Sequence, residues 1–288
     1  MKRARVFVSM TSDSRVATAL SWLRSVLLFK PLLYLHLVAL GATSLLLAFW
    51  DRDGRFQHRV AGRCAKWTLA TLGVPVMIEG LERINTRVPR LYVANHCSGL
   101  DSPILMRALP FEFRIVTRTP FLLIPFLGWY LYLSGQVALD RGDANANLRG
   151  LHRAIRLLRS GMPLVAFPEG GRSRTGEIGP FLAGIFYAAI KAGVEVVPLA
   201  LVGTHKLLPV GSWHIRPCPV RILVGEPIST TAYHPRQMRD LASRAQRAVA
   251  ELCACGDHLQ HAEDGRRPSE VRATPEICES LRAQQDQS

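Results

Sequence analysis

The stretch Ala94-Asn95-His96-Cys97-Ser98-Gly99-Leu100-Asp101-Ser102-Pro103 decides how this chain is read. It follows Arg90-Leu91-Tyr92-Val93, whose β-branched and aromatic character predicts a buried strand. The run from Ile104 to Leu109 is helix-prone; Asp101 or Ser102 can cap it, and Pro103 suits the first helical position. His96 therefore falls on a strand-to-helix loop, where an α/β sheet builds its sites. Asp101 follows closely enough for a tight turn to return its carboxylate to the imidazole. A carboxylate on one ring nitrogen fixes the tautomer and leaves the other nitrogen to accept a proton from a hydroxyl. The same residues also have a structural reading, in which His96 satisfies the loop and Asp101 caps the helix. Cys97 and Ser98 are rival nucleophiles, but adjacent side chains diverge, so Cys97 is poorly placed to pair with His96. The Gly-x-Ser-x-Gly elbow of serine hydrolases does not occur in the chain.

Outward from this block, 288 residues suffice for one large domain with appendages. An apolar share of 48% and a slightly positive mean hydropathy suit a folded protein that touches a membrane. The 36 Lys and Arg against 22 Asp and Glu leave a formal charge of +14, which favours an anionic partner. These basic residues are scattered through amphipathic segments without a nucleic-acid motif, so membrane surface and phosphorylated substrates are expected and nucleic acid is not. The six cysteines (Cys64, Cys97, Cys218, Cys253, Cys255, Cys278) lack a disulfide-framework spacing and are read as reduced thiols of a cytoplasmic setting. Cys253-x-Cys255 with His258 and His261 is not a usual zinc spacing, and no metal site is expected.

Residues 1–18 are basic and polar. Residues 19–54 are apolar and predict a membrane-associated hairpin or anchor. Within them Pro31 to Trp50 is an uncharged run about as long as a bilayer core requires. The position and length of this run exclude a cleaved signal peptide. Basic residues flank both sides, so charge does not set an orientation; a shallow hairpin broken near Lys30-Pro31 and held on one face is favoured over a crossing. Residues 55–255 alternate in pattern. Strands are predicted at Val76–Gly80, Arg90–Val93, Phe111–Val116, Gln136–Leu139, Leu164–Phe167, Val194–Val202 and Val220–Val224. Helices are predicted at Phe56–Leu72, Ala144–Ser160, Phe181–Ala192 and Arg236–Cys255, and Phe121–Leu133 reads as a strongly apolar helix or a membrane-facing patch. The fold class is α/β, a mixed central sheet flanked by helices. Residues 256–288 are polar and read as a disordered tail.

Two further blocks sit at predicted strand ends. Phe167-Pro168-Glu169-Gly170-Gly171-Arg172-Ser173-Arg174 combines glycines that let backbone approach a ligand with guanidinium groups matched to phosphate oxygens. Glu169 can hold an arginine or accept from a substrate hydroxyl. The P-loop ending is absent. Gly135-Gln136-Val137-Ala138-Leu139-Asp140-Arg141 places Arg141 at another strand end, with Asp140 able to cap the next helix.

His-x4-Asp, Gly-x4-Asp-Arg, Phe-Pro-Glu-Gly-x-Arg-Ser and Val196-Val197-Pro198-Leu199 occur in this order between residues 94 and 200. Together they resemble the glycerolipid acyltransferase family that includes 1-acylglycerol-3-phosphate acyltransferase. The resemblance implies that His96 and Asp101 are catalytic, and that Asn95, Arg141, Glu169, Gly170, Gly171 and Arg172 bind the glycerol phosphate of the acceptor. It associates Pro198 with the acyl donor. It implies transfer from acyl-CoA or acyl carrier protein to lysophosphatidic acid on the cytoplasmic face of a membrane, with no cofactor. Two positions depart from the pattern: Gly171 stands where Thr is usual, and Leu182 where Lys is often found. The rival readings are a different lysolipid or glycerol 3-phosphate as acceptor, a hydrolase using Ser98 or Ser102, and a lipid-binding module without activity.

Overall fold

The computed structural model describes residues 19–263 apart from Arg52 and Trp213. The basic segment at 1–18 and residues 264–288 of the expected tail, Cys278 included, lie outside the described residues. The strands are Val76–Glu79 (β1), Leu91–Ala94 (β2), Arg114–Arg118 (β3), Val137–Leu139 (β4), Leu164–Ala166 (β5), Val196–Val202 (β6) and Val220–Val224 (β7). They form one sheet in the order β1-β7-β6-β2-β5-β3-β4. Only the β6–β7 pair is antiparallel, so β1 and β7 run against the other five. The His96 block leaves the C-terminal end of β2, in the middle of the sheet.

The helices are Ala19–Leu47 (α1), Arg55–Leu72 (α2), Asp101–Ala108 (α3), Leu127–Leu133 (α4), Ala144–Arg159 (α5), Gly184–Ala192 (α6) and Met238–Glu263 (α7). Alternation along β2 assigns them to layers. Tyr92 and Ala94 pack with Phe29 of α1, Leu69 and Leu72 of α2, and Ile104 and Leu105 of α3. Leu91 and Val93 pack on the other side with Ala154 and Leu158 of α5, Phe186 of α6, and Leu241 and Val249 of α7. Parallel strands covered on both faces explain why β2, β5, β6 and β7 are buried at every residue.

Three elements differ from the sequence reading. The chain does not turn back at Lys30-Pro31; α1 is one helix of 29 residues. Pro31 has no N–H, and the helix widens just before it into a π turn at Ser25–Phe29, where the Lys30 N–H donates to the Ser25 carbonyl. The segment after β3 is not one helix. A 3₁₀ turn at Thr119–Leu123 is followed by a tight turn in which Phe126 takes φ 64° and the Leu127 N–H donates to Pro125 O at 2.7 Å. Helix α7 continues past Cys255 to Glu263 because its last turns still bury Cys255 and Leu259.

Helix α1 is long and apolar enough to cross a membrane by length and composition, and little of it is buried. Leu20, Leu27, Tyr34, Leu35 and Leu46 are exposed along it, and Phe49 and Trp50 beyond it are 83% and 82% exposed. It is nevertheless fastened to the domain near both ends. The Ser25 hydroxyl donates to Ile215 O at 2.9 Å and accepts from the Ile215 N–H at 3.2 Å. Gly41 lies against the Phe126 turn, where a Cβ would come within 2.5 Å of Phe126 Cα.

Candidate active site

The His96 loop is a turn wound around one carboxylate. Asp101 is fully buried, and its Oδ2 accepts from the Cys97 N–H and the Ser98 N–H, each at 2.8 Å, and faces His96 Nδ1 at 2.7 Å. Leu100, not Asp101, is the N-cap of α3, so the aspartate holds the loop and the imidazole rather than the helix end. With Nδ1 engaged, Nε2 is the ring nitrogen available to a substrate hydroxyl. The ring stacks on Phe167, with centroids 4.2 Å apart and planes 20° apart, which fixes its tilt. The His96 side chain is 21% exposed, open to a ligand and largely shielded from bulk water.

The neighbouring β5 supplies the second block. Glu169 Oε1 accepts from the His96 N–H at 2.8 Å, and Oε2 from the Gly179 N–H at 3.0 Å. The Glu169 carboxylate, expected to hold an arginine or accept from a substrate hydroxyl, instead ties the glycine-rich loop to the His96 loop. Burial raises its pKa, opposed by those two N–H groups. The Ser173 N–H closes a second tie to His96 O at 2.7 Å.

Arg141 leaves β4 and lies over the same loop, its Nη2 donating to Glu169 O at 3.3 Å. The Asp140 carboxylate accepts from the Gly142 and Asp143 N–H groups and so shapes the turn that presents Arg141. Gly170 is required here, since its φ is +66° and a Cβ would sit 1.5 Å from Arg141 Nη2. Gly171 has open space around it. Arg172 is exposed, with Nη1 within 3.3 Å of where a Cβ on Gly99 would lie. Thus His96, Asp101, Glu169, Gly170, Arg141 and Arg172 converge, with two guanidinium groups on the rim of the imidazole cleft.

Two expected binding residues do not reach the cleft. Asn95 is buried, its Nδ2 donating to Leu201 O at 3.0 Å and its Oδ1 accepting from the Leu201 N–H at 2.7 Å. Both functional ends are used to clamp the end of β2 to β6, and the amide is buried away from the cleft. Pro198 is buried in the middle of β6, paired with Val93, and its ring lies against Gly225 near Leu252 of α7. It is part of the core. Phe167 is the residue the sequence reading passed over; it opens the Phe-Pro-Glu-Gly block, but only the register of β2 on β5 puts it under His96.

The rival nucleophiles are disfavoured by their surroundings. Ser98 is fully buried and its Oγ accepts from the Leu100 N–H. Burial, with the Asp101 and Glu169 charges, pushes the Cys97 thiol up to about 12, so it stays protonated. Cys64, Cys97, Cys218 and Cys253 are free thiols, whereas Cys255 is disulfide-bonded, which corrects the reading of six reduced cysteines.

The acyltransferase family model matches residues 75–202, from β1 through β6 and both site blocks. The chain is 30% identical over 198 residues to a 1-acyl-sn-glycerol-3-phosphate acyltransferase of Limnanthes douglasii, covering 67% of this chain and 69% of that one. This chain belongs to the 1-acyl-sn-glycerol-3-phosphate acyltransferase family. To the chloroplastic acyltransferase LPAT1 of Arabidopsis thaliana, so named in the same way, it is 35% identical over 199 residues, 68% of this chain and 54% of the other. It thus spans about half the length of several curated acyltransferases that it matches. The crystal structure of the 1-acyl-sn-glycerophosphate acyltransferase PlsC from Thermotoga maritima superposes with a TM-score of 0.65 at 26% identity, covering 83% of this chain and 97% of that one.

Proposed function

We propose that the protein moves a fatty acyl group from an acyl thioester, acyl-CoA or acyl carrier protein, to the sn-2 hydroxyl of 1-acylglycerol 3-phosphate, making phosphatidic acid. The observation that carries this is the His96 Nδ1–Asp101 Oδ2 contact of 2.7 Å in a loop tied through Glu169 to the arginine-bearing loop. His96 Nε2 takes the proton of the acceptor hydroxyl as its oxygen attacks the thioester carbonyl, and Asp101 stabilises the imidazolium. Collapse of the tetrahedral intermediate breaks the C–S bond, and the imidazolium returns the proton to the thiolate. The acceptor alcohol is the nucleophile, so no acyl-enzyme forms. Arg141 and Arg172 grip the phosphate and orient the hydroxyl, a contribution of the proximity kind.

The enzyme lies on the membrane with residues 19–54 as its anchor and residues 55–255 as its catalytic domain, on the cytoplasmic face where acyl thioesters are found. Fastening of α1 at Ser25 and at Gly41 supports a helix lying along the domain and dipping into one leaflet over one that projects across the bilayer. Exposed Leu123, Ile124 and Phe121 extend the same apolar surface.

A second acceptor class is favoured by one feature: exposed Leu182 lies against Gly170 in the arginine-bearing loop, where a cation would strengthen a phosphate site. The test is the purified protein with a C16 acyl thioester and a panel of acceptors: 1-acylglycerol 3-phosphate, glycerol 3-phosphate, lysophosphatidylcholine and a lyso-aminolipid. Preference for the first with loss of turnover in a folded His96→Ala variant is expected. Retained turnover in that variant removes His96 from the chemistry; preference for an uncharged headgroup overturns the acceptor assignment.

A further inference from the structure

Helix α5 carries Arg149, Arg153, Arg156 and Arg159 with His152, and contains no Asp or Glu. These five residues are exposed, while Gly150, Ala154, Ile155 and Leu158 on the opposite side are buried, so the positive charge occupies one face. Exposed Lys191 of α6 adjoins it, where Arg159 donates to Lys191 O at 2.6 Å. Like charges three and four residues apart repel along a helix. Among the described residues an acidic contact to this face runs from Arg149 to Asp143 at 3.9 Å, both well exposed and worth little in water. Arg153 and Arg159 donate to backbone carbonyls, so among the described residues their charge meets no carboxylate.

We propose that this face of α5 is the docking surface for acyl carrier protein, an acidic carrier that delivers its acyl chain as a thioester. The inference rests on the acyl-transfer reading above and adds where one donor lands. Three observations support it. First, a repelling cluster of arginines is complementary to an acidic surface and gains most from one. Second, α5 begins just after Arg141 at the cleft and runs about 24 Å from it, so a carrier seated there has its prosthetic arm within reach of His96. Exposed Leu148 on the cleft-proximal half supplies an apolar contact among the charges. Third, α5 covers the opposite face of the sheet from α1. The apolar residues suited to lipid, Leu27, Leu46, Phe49 and Trp50, belong to α1 and its end. A soluble acidic protein therefore suits the α5 face better than an anionic bilayer does.

The test compares the full-length protein with an Arg149→Glu/Arg156→Glu variant, using palmitoyl-carrier protein and palmitoyl-CoA against the same acceptor. Direct binding of palmitoyl-carrier protein and pelleting with phosphatidylglycerol vesicles are measured alongside. The expected result is a loss of about ten- to a hundredfold in kcat/KM with the carrier protein and a matching loss of binding, with palmitoyl-CoA kinetics and pelleting unchanged. The wild-type carrier-dependent rate should fall with added salt and the variant's should not. An Arg149→Lys/Arg156→Lys variant should retain most activity. Equal losses with both donors, no loss with either, loss of vesicle pelleting instead, or wild-type protein that does not bind the carrier would each overturn the docking proposal. Transfer from palmitoyl-CoA alone defeats the docking surface and leaves the acyltransferase reading standing; no transfer from either donor defeats that reading.

Discussion

Replacing Asp101 by Asn isolates the charge from the shape. In the structure Oδ2 faces three donors: His96 Nδ1 and the N–H groups of Cys97 and Ser98. The carboxamide must turn its oxygen toward them, because the alternative sets an NH₂ against two backbone N–H groups. The tautomer of His96 and the turn are then preserved, and what disappears is the negative charge beside an imidazole that becomes positive in the transition state. A charge-assisted hydrogen bond of this kind contributes about 1.5–3 kcal/mol. At about 1.4 kcal/mol per decade that is a fall of roughly 10- to 150-fold in the chemical step. Single-turnover transfer from acyl-CoA reads that step directly, separate from product release. The KM for the acceptor should stay within about twofold, since Arg141 and Arg172 are untouched. A folded Asp101→Asn protein whose single-turnover rate matches wild type would refute the assignment of Asp101 as the group that supports the imidazolium.

Other outcomes follow from the same geometry. Gly170→Ala should raise the acceptor KM at least tenfold, because a Cβ would displace Arg141 and strain a positive φ; Gly171→Thr, at an open position, should leave it near wild type or improve it. Burial raises the Glu169 pKa above the ordinary 4.5, so the folded state binds that proton more tightly than the unfolded one. The group's contribution to stability is then greatest below 4.5 and declines as pH rises through the raised folded value. Activity should move the other way: transfer falls reversibly as acidification protonates the carboxylate that accepts from His96 and Gly179, and this limb should vanish from the pH profile of Glu169→Gln. Gly41→Leu should detach α1 from the Phe126 turn, seen as a lower Tm and new proteolytic cleavage between residues 47 and 55. Ser98→Ala should keep most transfer activity, and its collapse would revive the hydrolase reading.

The chain by itself determined the layer architecture and the residue types at the cleft. Alternating β-branched runs and amphipathic helices depend on local periodicity, and the Leu91–Ala94 strand delivering His96 to a loop needed no knowledge of distant residues. What the tertiary structure decided is which partner each polar group meets. Asn95, adjacent to His96 and expected to touch substrate, is taken by Leu201 O and N–H, a pairing set by the register of β2 on β6. Glu169, followed by two glycines and near arginines in sequence, accepts from two backbone N–H groups instead. The run Phe121 to Leu133 is apolar enough for one helix, yet Pro125 and the packing of Phe126 on Gly41 divide it. Periodicity records whether a residue faces in or out; hydrogen-bond partners depend on strand order and register, which are settled only when the whole sheet assembles.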